Sequence, residues 1–122
     1  MELTVTPTAQ MRLAKYFDDP NAIVLLDFDD GVGYQPEVAV SCTLNQEFRL
    51  LVVNKNSDHH EYNKILKTDL GDFYYKDYSK TFMDEKMRID VKPNGQLTLK
   101  GIYRGELTPA LNVIDLRKEK ND

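Results

Sequence analysis

The chain is 122 residues long, which suits one domain able to bury a core of its own. At 41% hydrophobic and 30% charged it is not a disordered chain, and 16 basic against 20 acidic residues leave it at −4, without the basic excess of a general nucleic-acid binder. A single cysteine, Cys42, excludes an intramolecular disulfide and any all-cysteine metal site within one chain, and no apolar run approaches the ~20 residues of a membrane-spanning helix.

Residues 2–5 read as a short strand. Thr6-Pro7 reads as an N-cap followed by proline at the first helical position, where its missing amide costs nothing. Ala9, Leu13, Tyr16 and Phe17 then fall on one helical face, and Asp18-Asp19-Pro20-Asn21 stops the helix. Residues 22–28 form a continuous apolar run that predicts a buried strand. Residues 29–36, with Gly31 and Gly33, read as a loop. Residues 37–44 and 47–53 predict a hairpin turning at Asn45-Gln46.

Residues 54–63 are polar and loop-like, with Ile65, Leu66 and Leu70 as modest anchors after them. Residues 73–78 read as an aromatic strand on the core. Residues 86–91 and 96–102 flank Lys92-Pro93-Asn94-Gly95, where Asn-Gly predicts a hairpin tip with a type I′ turn. Residues 111–116 predict a last strand, and residues 117–122 a solvated, flexible tail. One helix and a series of strands give a mainly β (α+β) fold, with residues 1–122 as a single domain. No basic n-region precedes an apolar stretch near the amino terminus, so a cytoplasmic location is expected.

The most pointed chemistry lies at Asp27-Phe28-Asp29-Asp30-Gly31. A hydrophobic strand delivering two aspartates two residues apart resembles the first motif of haloacid-dehalogenase-type phosphatases. In that reading Asp27 attacks phosphorus, Asp29 handles the leaving-group proton and both help hold a magnesium ion. Asp30 interrupts that family's pattern after the second aspartate, and the later segments do not alternate between strand and long helix. A metal-dependent hydrolase using Asp27 and Asp29 is therefore the alternative reading. A calcium loop fails, because its terminal carboxylate would fall at Val38. His59-His60 beside Asp58 and Glu61 offers ligand atoms, but adjacent histidines point in different directions. The candidate binding loop is Asp27, Asp29, Asp30, Gly31 and Gly33. In the bland version of that loop one aspartate caps the turn and the others sit in water; a non-enzymatic binding module should show no turnover and lose little stability on Asp27→Asn.

Taken together, these pieces resemble the HesB/IscA-like family, the iron–sulfur cluster biosynthesis domain. The carriers are Leu3-Thr4-Val5-Thr6-Pro7-Thr8-Ala9 at the helix entry, the strand from Ile23 to Phe28 leading into Gly31-Val32-Gly33, and Phe82-Met83-Asp84-Glu85 running on to Ile89-Asp90-Val91. The closest likeness is to a short, cysteine-poor branch. The resemblance implies a HesB-like β domain with one N-terminal helix, and a non-enzymatic protein accessory to iron–sulfur assembly or iron handling through a protein partner. Scaffold members of the family hold iron or a cluster on one cysteine in a glycine-rich loop and two near the carboxyl end. Gly31-Val32-Gly33-Tyr34 and residues 111–122 carry none, so no cofactor and no stable Fe–S cluster are expected. No nucleic acid and no membrane are expected as partners.

Overall fold

Helix α1 (Pro7–Phe17) starts as its sequence dictates: Thr6 stands at the N-cap in extended geometry, and its hydroxyl accepts from the Ala9 amide at 3.4 Å. Ala9 and Leu13 are buried, with Tyr16 and Phe17 packed at the edge of the same face. The computed structural model describes residues 1–28 and 47–117. Within them, strands form two sheets. The four-stranded sheet runs β1 (Glu2–Val5), β6 (Lys86–Val91), β7 (Leu97–Gly101) and β8 (Gly105–Thr108) in that order. The five-stranded sheet runs β4 (Lys64–Lys67), β5 (Asp72–Tyr75), β2 (Ala22–Phe28), β3 (Phe48–Asn54) and β9 (Val113–Asp115). The fold is mainly β with one α-helix among the described residues, as the sequence predicts.

β2 is apolar at every position but Asp27 because both its faces are covered. Val24, Leu26 and Phe28 belong to the main core with Leu13, Leu50, Val52, Phe73, Ile89 and Leu99. The alternate residues Ile23 and Leu25 enter a second cluster with Leu51, Val53 and Tyr62. Period-2 alternation places Asp27 on this second face, opposite Arg49 in the antiparallel register with β3. β2 also pairs in parallel with β5, so it is bonded on both edges. These pairings fix where Asp27 sits.

The hairpin at residues 92–96 forms, but not with a type I′ turn. The Gly95 amide donates to the Lys92 carbonyl and the Lys92 amide to the Gln96 carbonyl, both at 2.8 Å, with Gly95 at φ +90°. Pro93 offers a reason: a type I′ turn centred on Asn94-Gly95 would use the residue-93 amide in the ladder, which proline lacks, whereas its negative φ suits the first central position of a turn through Pro93 and Asn94, leaving the left-handed residue to Gly95.

The aromatic strand is shorter than predicted. β5 ends at Tyr75, and Asp77–Phe82 winds into a 3₁₀ turn. Ser79 closes that turn by donating from both its amide (2.9 Å) and its hydroxyl (2.6 Å) to the Lys76 carbonyl. β4 and β8 were not anticipated. The predicted strand at residues 37–44 lies outside the described residues; the described neighbours of β3 are β2 and β9. Arg117, placed by sequence at the start of a solvated tail, is instead tied down. Its guanidinium donates to Asp115 at 2.9 and 2.8 Å and to Asp19 at 2.9 Å, and lies over the Tyr16 ring. The Asp115 hydrogen bonds, ahead of those from Asp19, raise its pKa further. No helix among the described residues is long and apolar enough to cross a membrane.

Candidate functional site

Asp27 sits one residue before the end of β2 and is fully buried, not in a solvated turn. A carboxylate removed from water must be matched by donors or counter-charges, because an unmatched one costs several kcal/mol. Three segments supply the match. Arg49 on β3 donates from Nε to Oδ2 at 2.7 Å. Tyr62, in the stretch before β4, donates its hydroxyl to Oδ1 at 2.7 Å. Lys76, one residue beyond β5, brings Nζ to 3.1 Å from Oδ1 and donates to the Phe28 carbonyl at 3.0 Å. Lys76 is itself fully buried, with its ammonium 5.7 Å from the Tyr62 ring centre and 5.6 Å from that of Tyr78.

This geometry decides what Asp27 can do. Both carboxylate oxygens are engaged, one by a guanidinium and one by an ammonium and a phenol. A nucleophile attacking phosphorus needs an accessible lone pair, and Asp27 presents no surface from which to attack. The same engagement sets it against metal ligation. Among the described residues no group of three or more His, Cys, Asp or Glu could hold a metal ion. The expectation that Asp27→Asn costs little is corrected here, since the substitution strands two cations. Asp29, Asp30, Gly31 and Gly33, with Cys42, lie outside the described residues.

Sequence reasoning missed Arg49, Tyr62 and Lys76. One signal was present: an aspartate inside an apolar strand implies a buried counter-ion. Nothing in the pattern says which of 16 basic residues supplies it. The histidine pair behaves as read. The ring of His60 bonds the exposed Asp58 carboxylate at 2.7 Å, whereas His59 meets the Ser57 carbonyl at 2.8 Å and stands edge-on to Tyr74. The hydrogen bond between Asp58 and His60 raises the histidine's pKa and lowers the aspartate's.

A second buried carboxylate, Asp84, is satisfied by backbone. Its Oδ2 accepts from the Tyr103 and Arg104 amides, each at 2.7 Å, and Oδ1 from the Glu85 amide at 2.7 Å. Burial alone would raise its pKa, but the Arg104, Tyr103 and Glu85 amides together outweigh that and hold it below the ordinary 3.8. Gly101 faces it, and a methyl there would overlap the carboxylate.

Comparison with known proteins bears on the whole chain. The sequence pattern of the family described as iron-sulphur cluster biosynthesis matches residues 1–115. A candidate Fe–S biosynthesis protein from Lactobacillus salivarius, whose crystal structure is described as having a novel fold, is 48% identical. Superposition gives a TM-score of 0.88 over 96% of this chain and 99% of that one. A second candidate Fe–S biosynthesis protein, from Lactobacillus acidophilus, shares the fold at a TM-score of 0.67 and 19% identity, over 94% of this chain and 90% of that one. The search of curated proteins gives no match.

Proposed function

The chain belongs to the iron–sulphur cluster biosynthesis family, and from that premise we propose that it is a non-enzymatic accessory protein of cluster assembly, acting through a protein partner in the cytoplasm. The observation that carries this reading is the thiolate inventory. Clusters are typically held by about four cysteines, and this chain has one, so even two copies fall short. The donor set does not fit a resident cluster. A cluster handled by this protein is cargo held by the partner.

The engagement of both Asp27 oxygens supports the non-enzymatic reading and gives the hydrolase alternative nothing to stand on. The contact region in this proposal is Asp29, Asp30, Gly31 and Gly33. It follows directly on Asp27, which the buried cluster holds away from solvent, and on the Phe28 carbonyl, which Lys76 holds.

Anaerobic reconstitution with ferrous iron and sulfide, followed by desalting and iron and sulfide analysis, tests the absence of a resident cluster. Substoichiometric iron and sulfide are expected; a stoichiometric cluster surviving the column would overturn it. The accessory role is tested by the rate of cluster formation on a separate scaffold protein with and without this chain. A changed rate that persists in Cys42→Ser is expected, and an unchanged rate would refute the role.

A further inference from the structure

The turn from β7 into β8 is clamped at its base and apolar at its tip. Gly101 pairs with Gly105 across it, Gly105 lies in the left-handed region at φ +76°, and the Ile102 amide donates to the Lys86 carbonyl at 2.9 Å. The buried Asp84 carboxylate takes the Tyr103 and Arg104 amides. Fixed in this way, the turn leaves Ile102 60% and Tyr103 78% exposed. Of the seven large apolar side chains exposed among the described residues, these two alone are neighbours in sequence. Single exposed apolar residues are ordinary. An exposed pair on a turn ordered by a buried anion is a preorganised contact, with little ordering entropy left to lose on binding.

The sheet face beside the turn is cationic. Met87, Ile89 and Leu99 belong to the main core, so alternation turns Lys86, Arg88 and Lys100 to the opposite face. Register sets Arg88 directly opposite Lys100, and the backbone bond sets Lys86 beside Ile102. Like charges directly opposite across a ladder are destabilising. Arg104, exposed in the turn, adds a fourth cation. The nearby carboxylates are engaged with other groups: Glu106 with Lys92 at 3.3 Å and Thr98 at 3.1 Å, and Asp90 with the Thr6 hydroxyl and the Val91 amide. Glu2 stands beside Lys86 in register. Among the described residues no carboxylate forms an ion pair with any of the four cations.

We propose that the β7–β8 turn and the outer face of β6 and β7 bind an acidic segment of a partner protein. Its apolar side chains pack on Ile102 and Tyr103, and its carboxylates meet Lys86, Arg88, Lys100 and Arg104. Charge complementarity selects this occupant. A second copy docked face to face would set the same four cations against one another. An extended polyanion, whether nucleic acid or an anionic bilayer, would meet the repulsive field of a chain at −4, whereas a short acidic segment touches this face alone. Tyrosine and arginine are the side chains on which interface energy concentrates. The inference does not depend on the accessory role in cluster assembly.

The test is a titration of the folded chain with the peptide acetyl-Glu-Asp-Glu-Leu-Leu-Glu-Asp-Glu-amide at low salt, followed by backbone amide shifts. Saturable shifts confined to residues 86–88 and 100–104 are expected, with a Kd of about 1 mM or tighter. Tyr103→Ser should weaken binding about tenfold, and Arg88→Gln combined with Lys100→Gln should do the same. Added salt should weaken it further, because exposed charges are screened. Equal binding of the peptide with Gln and Asn in place of its acids would overturn the cationic face. Equal binding of the peptide with Ser in place of Leu would overturn the apolar turn. Absence of saturable shifts, or shifts unchanged in the triple variant, would overturn the surface itself. A thymidine oligonucleotide or phosphatidylserine vesicles binding more tightly than the peptide would overturn the choice of a protein partner. Concentration-dependent shifts of the same amides in the free chain would overturn it too, and give the face to a second copy.

Discussion

Asp27 and Asp84 are both buried carboxylates, yet the chain neutralises them by different means. Asp27 draws on side chains from β3, from the stretch before β4 and from the residue after β5, so three segments converge on one anion through charge and a phenol. Asp84 draws on the amide beside it and on two amides of the β7–β8 turn, dipoles that are already part of the backbone. The first arrangement welds distant parts of the five-stranded sheet. The second shapes one turn of the other sheet. Breaking the first leaves buried cations without a partner, whereas breaking the second frees amides next to solvent.

The largest effect should follow Asp27→Asn, which leaves Arg49 and Lys76 without their anion and should cost about 3–5 kcal/mol in urea unfolding. A cost below about 1 kcal/mol would mean the cluster is not a tightly coupled buried pair. The double variant Asp27→Asn with Lys76→Met sharpens the comparison. It removes one cation with the anion, and should fall short of the summed single costs by about 1–3 kcal/mol.

Next comes Gly101→Ala, which drives a methyl into the Asp84 carboxylate and should cost about 1–3 kcal/mol by overpacking. If it is neutral, the Asp84 clamp is looser than its hydrogen bonds imply. Smaller still is a pH effect. The folded pKa of Asp84 is depressed, so its contribution is full above the unfolded value near 3.8 and is lost as pH falls through the folded value. Urea midpoints measured from neutral pH downward should therefore drop more steeply below pH 3.8 in the wild type than in Asp84→Asn. The smallest change belongs to the exposed Lys67–Asp72 pair at 3.8 Å. Lys67→Ala should alter stability by no more than about 0.5 kcal/mol, since water already screens that pair.

The sequence made some of this legible and concealed the rest for physical reasons. Thr6-Pro7 located the start of α1 because capping chemistry is local. The apolar run of β2 and the Pro93-Asn94-Gly95 loop were readable on the same ground. β4 and β8 were not, because four-residue strands with a single buried residue carry almost no periodic signal and form only once a neighbour offers a ladder. Ser79, which cuts the aromatic strand short, acts through its own backbone and hydroxyl and leaves no hydrophobic trace. At the candidate site the sequence pointed to Asp27 as chemically unusual and misjudged its surroundings, since Lys76 and Tyr62 reach it only through the pairing of β2 with β5 and the packing on its second face.

The parallel pairing of β1 with β6 bears on how the chain is made. Glu2 pairs with Lys86 and Val5 with Ile89, and the Thr6 hydroxyl donates to Asp90, 84 residues later. At synthesis rates of about 5–20 residues per second, β1 waits roughly 4–17 seconds before its partner strand exists. During that interval Leu3 and Val5 have no β6 to cover them, and the helix beginning at Pro7 has no Ile89 to pack near. A nascent chain stalled before residue 86 therefore carries an exposed apolar strand end, and a chaperone holding the amino-terminal segment would bridge the gap until the distant strand emerges.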